Sequence, residues 1–161
     1  MSSKRTFSNK SKLVMELNMK KTIFSFSIIV VLLSILIYSQ IGKTNNVQVS
    51  IGESTKFTEK EINEAIGSVK KKFISFQGCK LTELWYSESK SDRLIKDYLQ
   101  YGNGASNGIK EENVIILLSN FEVNSSGGDG SFEPNSTQSD WQWILIRDSK
   151  SDHWRVDDWG Y

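Results

Sequence analysis

The hydrophobic pattern of the chain changes character twice. From Thr22 to Gly42 no residue is charged, and Ile23 to Tyr38 holds only Ile, Phe, Val, Leu, Tyr and three Ser. A run with no polar face does not fit the buried helix of a soluble domain. At a rise of about 1.5 Å per residue, a helix over 22–42 covers about 30 Å, the thickness of a bilayer core. Residues 43–56 are polar, with Asn, Gln, Ser, Gly and Thr, and are expected to form a linker.

From Phe57 the pattern is that of a folded domain. Thr58, followed three residues on by Glu61, makes a capping box, and Phe57 with Ile62 makes a hydrophobic staple. Ile62, Ala65, Ile66, Val69 and Phe73 then recur at helical spacing, which predicts a helix over 58–75 with Gly78 as its stop. Residues 79–86 read as a strand, from Leu81, Thr82, Leu84, Trp85 and Tyr86. Residues 89–101 predict a shorter helix with Leu94, Ile95, Tyr98 and Leu99 on one side, and the Gly/Asn-rich stretch 101–108 a loop.

Val114 to Leu118 is continuously apolar, as in a strand buried on both faces. Alternation then sets in at Ser119, so 113–124 is one strand. Residues 125–139 read as a long polar loop. Trp141 to Tyr161 holds four of the five Trp and reads as a hairpin of strands 140–148 and 153–160, turning at Asp148–Asp152. The expected fold class is α+β. One main helix packs on a curved four-stranded antiparallel sheet whose last three strands form a meander, preceded by a single transmembrane or signal helix. The expected organisation is a basic tail (1–21), an apolar segment (22–42), a linker (43–56) and a folded domain (57–161).

A net charge of +1 hides an asymmetry. Residues 1–42 carry six Lys/Arg and one acid; residues 43–161 carry fourteen Lys/Arg and eighteen acids. Lys20 and Lys21 flank the near side of the apolar run and Lys43 the far side. The positive-inside rule then places the N-terminus in the cytoplasm and the domain outside. A cleaved signal peptide needs small residues before the cut, and Tyr38-Ser39-Gln40-Ile41-Gly42 is a poor site. The retained anchor is therefore the favoured reading; cleavage would make the domain a secreted one. Residues 1–18 are Ser/Lys-rich without period and are expected to lack regular structure. Met19-Lys20-Lys21 reads as the natural start of an export signal.

The acidic balance of the domain argues against nucleic acid as a partner, since that affinity comes largely from Lys and Arg on phosphates. One cysteine, Cys79, allows no intramolecular disulfide, and one histidine, His153, allows no His-rich metal site. No cofactor is expected. The expected partners are the membrane, crossed once, and an unidentified protein or small molecule.

The order of elements, the stretches 130–137 and Trp141–Arg147, and the ending Trp154-Arg155-Val156-Asp157-Asp158-Trp159-Gly160-Tyr161 resemble the cystatin-like or NTF2-like α+β fold. More narrowly they resemble small exported proteins of Gram-positive bacteria. The resemblance covers about 57–161 and implies fold and location. It implies no activity, because NTF2-like domains host enzymes, binding modules and scaffolds alike.

Each candidate for chemistry has a plainer alternative. Asp157 or Asp158 in an apolar site could act as a base; alternatively Asp157 pairs with Arg155 or Arg147 and Asp158 is solvated. Gly127-Gly128-Asp129-Gly130 lacks the Gly-Lys-Ser/Thr of a phosphate loop and the Asp spacing of a calcium loop, and reads as a flexible loop. Cys79 could be a nucleophile but is better read as a small buried residue. Lys70, Lys71 and Lys72 could meet anionic lipid, or simply complement the helix dipole. The aromatic set Trp85, Trp141, Trp143, Trp154, Trp159 and Tyr161 could floor a ligand site or fill the core. Trp141, Trp143, Arg147, Trp159 and Tyr161 are the candidate ligand-binding residues. The expected function is a membrane-tethered domain that binds a ligand or partner without catalysis. The alternatives are an enzyme using Asp157 or Asp158, and a subunit of a cell-envelope secretion or conjugation assembly.

Overall fold

The computed structural model describes residues 3–161. It divides into two compact units, residues 1–40 and 41–161.

The first unit is one helix, α1 (Ser3–Gln40). Residues 3–18, expected to lack regular structure, are helical; residues 1 and 2 lie outside the described residues. Val14–Leu36 is long and apolar enough to cross a membrane, and none of it is buried within the molecule. The hydroxyls of Thr22, Ser27 and Ser34 donate to the carbonyls four residues back, at 3.0, 3.0 and 2.8 Å. Back-bonding of this kind satisfies a hydroxyl on a helix without a partner from outside the helix.

The second unit is α+β, but its sheet is neither four-stranded nor wholly antiparallel. Five strands lie in the order β1 (Gln48–Ile51), β2 (Cys79–Tyr86), β3 (Val114–Val123), β4 (Thr137–Ile146) and β5 (Arg155–Gly160). The additional strand comes from 43–56, the stretch expected to be a linker. Gln48–Ile51 runs parallel to Glu83–Tyr86, and Lys43 bonds to β2 through Cys79 and Leu81. The stretch carries little apolar burial, so its pairing rests on backbone hydrogen bonds that composition does not announce. The other three pairings are antiparallel, and β3, β4 and β5 form the expected meander.

Helix α2 (Glu59–Phe73) lies on one face. Its capping box is complete: Thr58 Oγ1 accepts from Glu61 N–H at 3.2 Å, and the Thr58 N–H donates to the Glu61 carboxylate at 2.8 Å. Ile62, Ala65, Ile66, Val69 and Phe73 pack with Leu81, Leu84, Ile115, Leu117, Phe121, Trp143 and Leu145 into the main core. Helix α3 (Glu88–Tyr101) covers part of the other face, where Ile95 and Tyr98 meet Val114, Ile116 and Ile146. The Val-Ile-Ile-Leu-Leu run of β3 is continuous because helices cover both its faces. The stretch 101–108, expected to be a loop, contains a short helix, α4 (Asn103–Asn107), which ends at Gly108 in a left-handed conformation.

Bulges decide which way several side chains point. Thr82, the turn of β4 at Asp140, and Asp157 are the extra residues of the three irregular ladders. Strict alternation would set Trp159 opposite Val156. The bulge at Asp157 brings both onto the α2 face, where Val156 packs on the core and Trp159 lies 6.3 Å from Phe76.

Candidate functional site

A cavity opens where β3 begins and β4 ends, at the N-terminal end of α2. It has a volume of about 570 Å³, within the range of small-ligand sites. Arg147 stands just after β4 and is 2% exposed. Its Nη1 donates to Glu61 Oε1 at 2.8 Å, and its guanidinium stacks 4.2 Å from the centre of the Trp154 ring. Its backbone N–H donates to Asn113 O at 3.0 Å. Among the described residues, Arg147 Nε, Asn113 Oδ1 and Trp154 Nε1 are buried polar atoms without a hydrogen-bond partner. An unsatisfied buried polar atom costs about 1–3 kcal/mol; a fourth, Trp141 Nε1, lies at the other end of the sheet.

The rim of the cavity holds charges of both signs. Lys56 pairs with Asp92 at 2.8 Å and Glu111 at 2.9 Å. Those hydrogen bonds raise its affinity for its proton, Asp92 contributing first and Glu111 next. Glu61 is pushed up by desolvation, but the Thr58 N–H and hydroxyl and the Arg147 guanidinium outweigh this and hold it at about 2. Glu112 and Lys150 line the same cavity without an ion pair among the described residues. Phe57 and Ile95 supply the apolar wall.

The expected site residues are not gathered in one place. Arg147 lines the cavity. Trp143 is 0% exposed, and its Nε1 donates to Ser119 Oγ at 2.8 Å, so it packs rather than faces solvent. Trp141, half-buried, lies at the other end of the sheet with Phe76, Phe121, Phe132 and Tyr161 around it. Trp159 is 41% and Tyr161 74% exposed at that same end. Trp85 borders a shallower groove with Glu83, Asn120 and Asp140. Glu61 was legible in the sequence only as a helix cap. Glu112 and Lys150 stand in short turns that carry no signal of their own.

The acid/base candidates do not converge. Asp157 Oδ2 accepts from the Tyr98 hydroxyl at 2.6 Å, while Arg155 pairs with Asp148 and Arg147 with Glu61. The expected pairing of Asp157 with Arg155 or Arg147 is thus replaced by a phenol. Asp158 is exposed and accepts from the Trp159 N–H at 2.9 Å. The His153 side chain is 95% exposed beside Glu64. Cys79 is buried, and desolvation first, then the Asp129 carboxylate, raises its thiol to about 11. No cluster of three metal-ligating side chains occurs among the described residues.

A family model for DUF4829, a domain of unknown function, matches residues 5–160. The chain belongs to that family. The match runs through the apolar segment as well as the folded unit. No curated protein and no solved structure matches it.

Proposed function

We propose that this DUF4829 chain is a non-catalytic binding protein, held by α1 as a membrane anchor with residues 43–161 outside. Its small polar ligand would sit in the cavity at Arg147. The observation that carries the reading is the buried Arg147, its Nε without a hydrogen-bond partner, lining a cavity of about 570 Å³. Two of the rim's cations and two of its carboxylates are already paired. Glu112 and Lys150 are left as one handle of each sign. A ligand with a single charge gains at one and is repelled at the other, whereas a zwitterion such as an amino acid or short peptide satisfies both. The cystatin-like or NTF2-like assignment and a Gram-positive source belong to the same proposal. One long helix across an antiparallel meander supports the first, and the resemblance of the C-terminal ending supports the second.

Calorimetric titration of the full chain in detergent with a panel of amino acids and dipeptides tests this, with inorganic phosphate and choline as controls that carry charge of one sign only. Binding should be confined to the zwitterions. Lys150→Glu should weaken it about tenfold or more, as should Glu112→Gln, each by loss of one charge-assisted contact. Binding of phosphate or choline alone, or zwitterion binding indifferent to both substitutions, would sink the assignment. Robust turnover of any substrate that Asp157→Asn abolished would favour the enzyme instead.

A further inference from the structure

The end of the folded unit at which the chain enters is opposite the cavity. Gly42 N–H donates to Ile74 O at 3.0 Å, just beyond α2, and Lys43 N–H to Cys79 O at 2.9 Å, at the start of β2. The entering chain is thereby fixed at the C-terminal end of α2. Five Cα-to-Cα steps separate Leu36, within the apolar run, from Ile41. Fully extended they reach about 18 Å, so the C-terminal end of α2 stays close to the headgroup layer whatever path they take.

That end carries what a headgroup layer attracts. Lys70, Lys71 and Lys72 fill the last turn of α2. Lys72 Nζ lies 4.0 Å from the centre of the Trp159 ring. Trp159, Tyr161 and Ile74 are all exposed there, Tyr161 packed edge-on against Trp141 at 5.0 Å. Trp and Tyr with Lys beside them form the usual interfacial belt, and clustered Lys are drawn to anionic lipid. Of the acids at this end, Glu122 pairs with Lys80 at 3.1 Å and Asp129 accepts from the Ser131 N–H at 3.1 Å, while Glu133 is exposed in the same loop.

We propose that Lys70, Lys71, Lys72, Ile74, Trp159 and Tyr161 form a surface that docks on the anionic headgroups of the membrane in which the chain is anchored. Docking holds the domain upright, with the Arg147 cavity turned away from the bilayer. The inference rests on α1 as anchor but not on what the cavity binds.

The full chain is reconstituted into vesicles of phosphatidylcholine alone, or with phosphatidylglycerol added, each containing lipid brominated near the headgroup. Tryptophan emission is then read. Docking predicts quenching at least about twofold deeper with the anionic lipid, reversed by salt as screening removes the attraction. Trp159→Phe should remove most of that quenching. Lys71→Glu, at an exposed position, should remove its lipid dependence while leaving the melting temperature unchanged. A chain that does not float with the vesicles would remove the anchor, and this inference with it. A chain that floats but is quenched equally in both lipids would overturn docking alone. Emission that follows protein concentration rather than lipid charge would assign the surface to a second copy instead.

Discussion

Arg147 donates through Nη1 to Glu61 Oε1 at 2.8 Å, joining the end of β4 to the first turn of α2 across the mouth of the cavity. The pair ties a strand to a helix cap. Thr58 and Arg147 share one carboxylate, so the cap and the cavity wall stand or fall together.

The carboxylate makes stability depend on acid. Glu61 is held at about 2 against an ordinary 4.5, so its contribution is complete above 4.5 and is lost as pH falls towards 2. Glu88, held at about 2 by Ser54 and Thr55, titrates in the same window. Melts of the full chain in detergent should therefore show stability falling between pH 4.5 and 2, with a shallower fall in Glu61→Gln. Near neutral pH that variant should already be weaker, by about 3–5 kcal/mol at most, because it leaves a buried guanidinium without its counter-charge. Parallel acid curves for the two proteins would separate Glu61 from the effect.

Two glycines give opposite expectations. A Cβ on Gly42 would meet the Phe73 carbonyl oxygen at 1.9 Å and that of Phe76 at 2.9 Å. Both are backbone atoms that cannot move aside. Gly42→Ala should cost about 1–3 kcal/mol, as overpacking does, and should speed proteolysis just after residue 42. Gly67 lies in α2 with nothing within 4 Å of its added Cβ. Gly67→Ala should gain about 0.5–1 kcal/mol from helix propensity. Equal melting temperatures for the two variants would contradict the docking of Gly42.

Cys79 should be silent towards alkylating reagents while the fold lasts. It is buried, and its thiol is raised to about 11 by desolvation, then by Asp129. The thiolate is the reactive form, so labelling with iodoacetamide should appear only in denaturant. Rapid stoichiometric labelling of the folded chain would reopen the case for Cys79 as a nucleophile.

The main helix was the most legible part of the fold. Its cap, its apolar face and its dipole complement are local, and each is encoded within a few residues. β3 was legible as buried on both sides for the same reason. β1 was not, because four half-polar residues join the sheet through backbone bonds to β2 that no side-chain pattern reveals. The bulge at Asp157 was equally hidden. It moves Trp159 to the face of Val156 and hands Asp157 to Tyr98, and only the partner strand determines where an extra residue fits. Of the candidate site, Arg147 was among the residues named from the sequence. Glu112 and Lys150, brought beside it by turns, were not.

Tyr98 and Asp157 illustrate the consequence. The phenol donates to the carboxylate at 2.6 Å, and desolvation first, then Asp157, keeps its proton on. Tyr98→Phe should cost about 1.5–3 kcal/mol, the range for a hydrogen bond to a charged group. A double-mutant cycle with Asp157→Asn should show that the costs do not add. Additive costs would mean that the bond contributes nothing to folding.

Orientation in the membrane can be read with the same cysteine chemistry. The proposed topology, argued from the charge bias before the apolar run, has residues 43–161 outside, and a silent Cys79 leaves a clean background for introduced thiols. Ser151, exposed in the turn between β4 and β5, is a suitable reporter. Ser151→Cys should react with a membrane-impermeant maleimide on intact cells, and Ser11→Cys only after lysis. Reversing Lys20 and Lys21 to Glu should raise the fraction labelled at position 11, since those two cations carry the orientation signal nearest the span. Labelling at position 11 but not 151 on intact cells would invert the topology. It would also turn the Arg147 cavity and the lysine-aromatic end towards the cytoplasm.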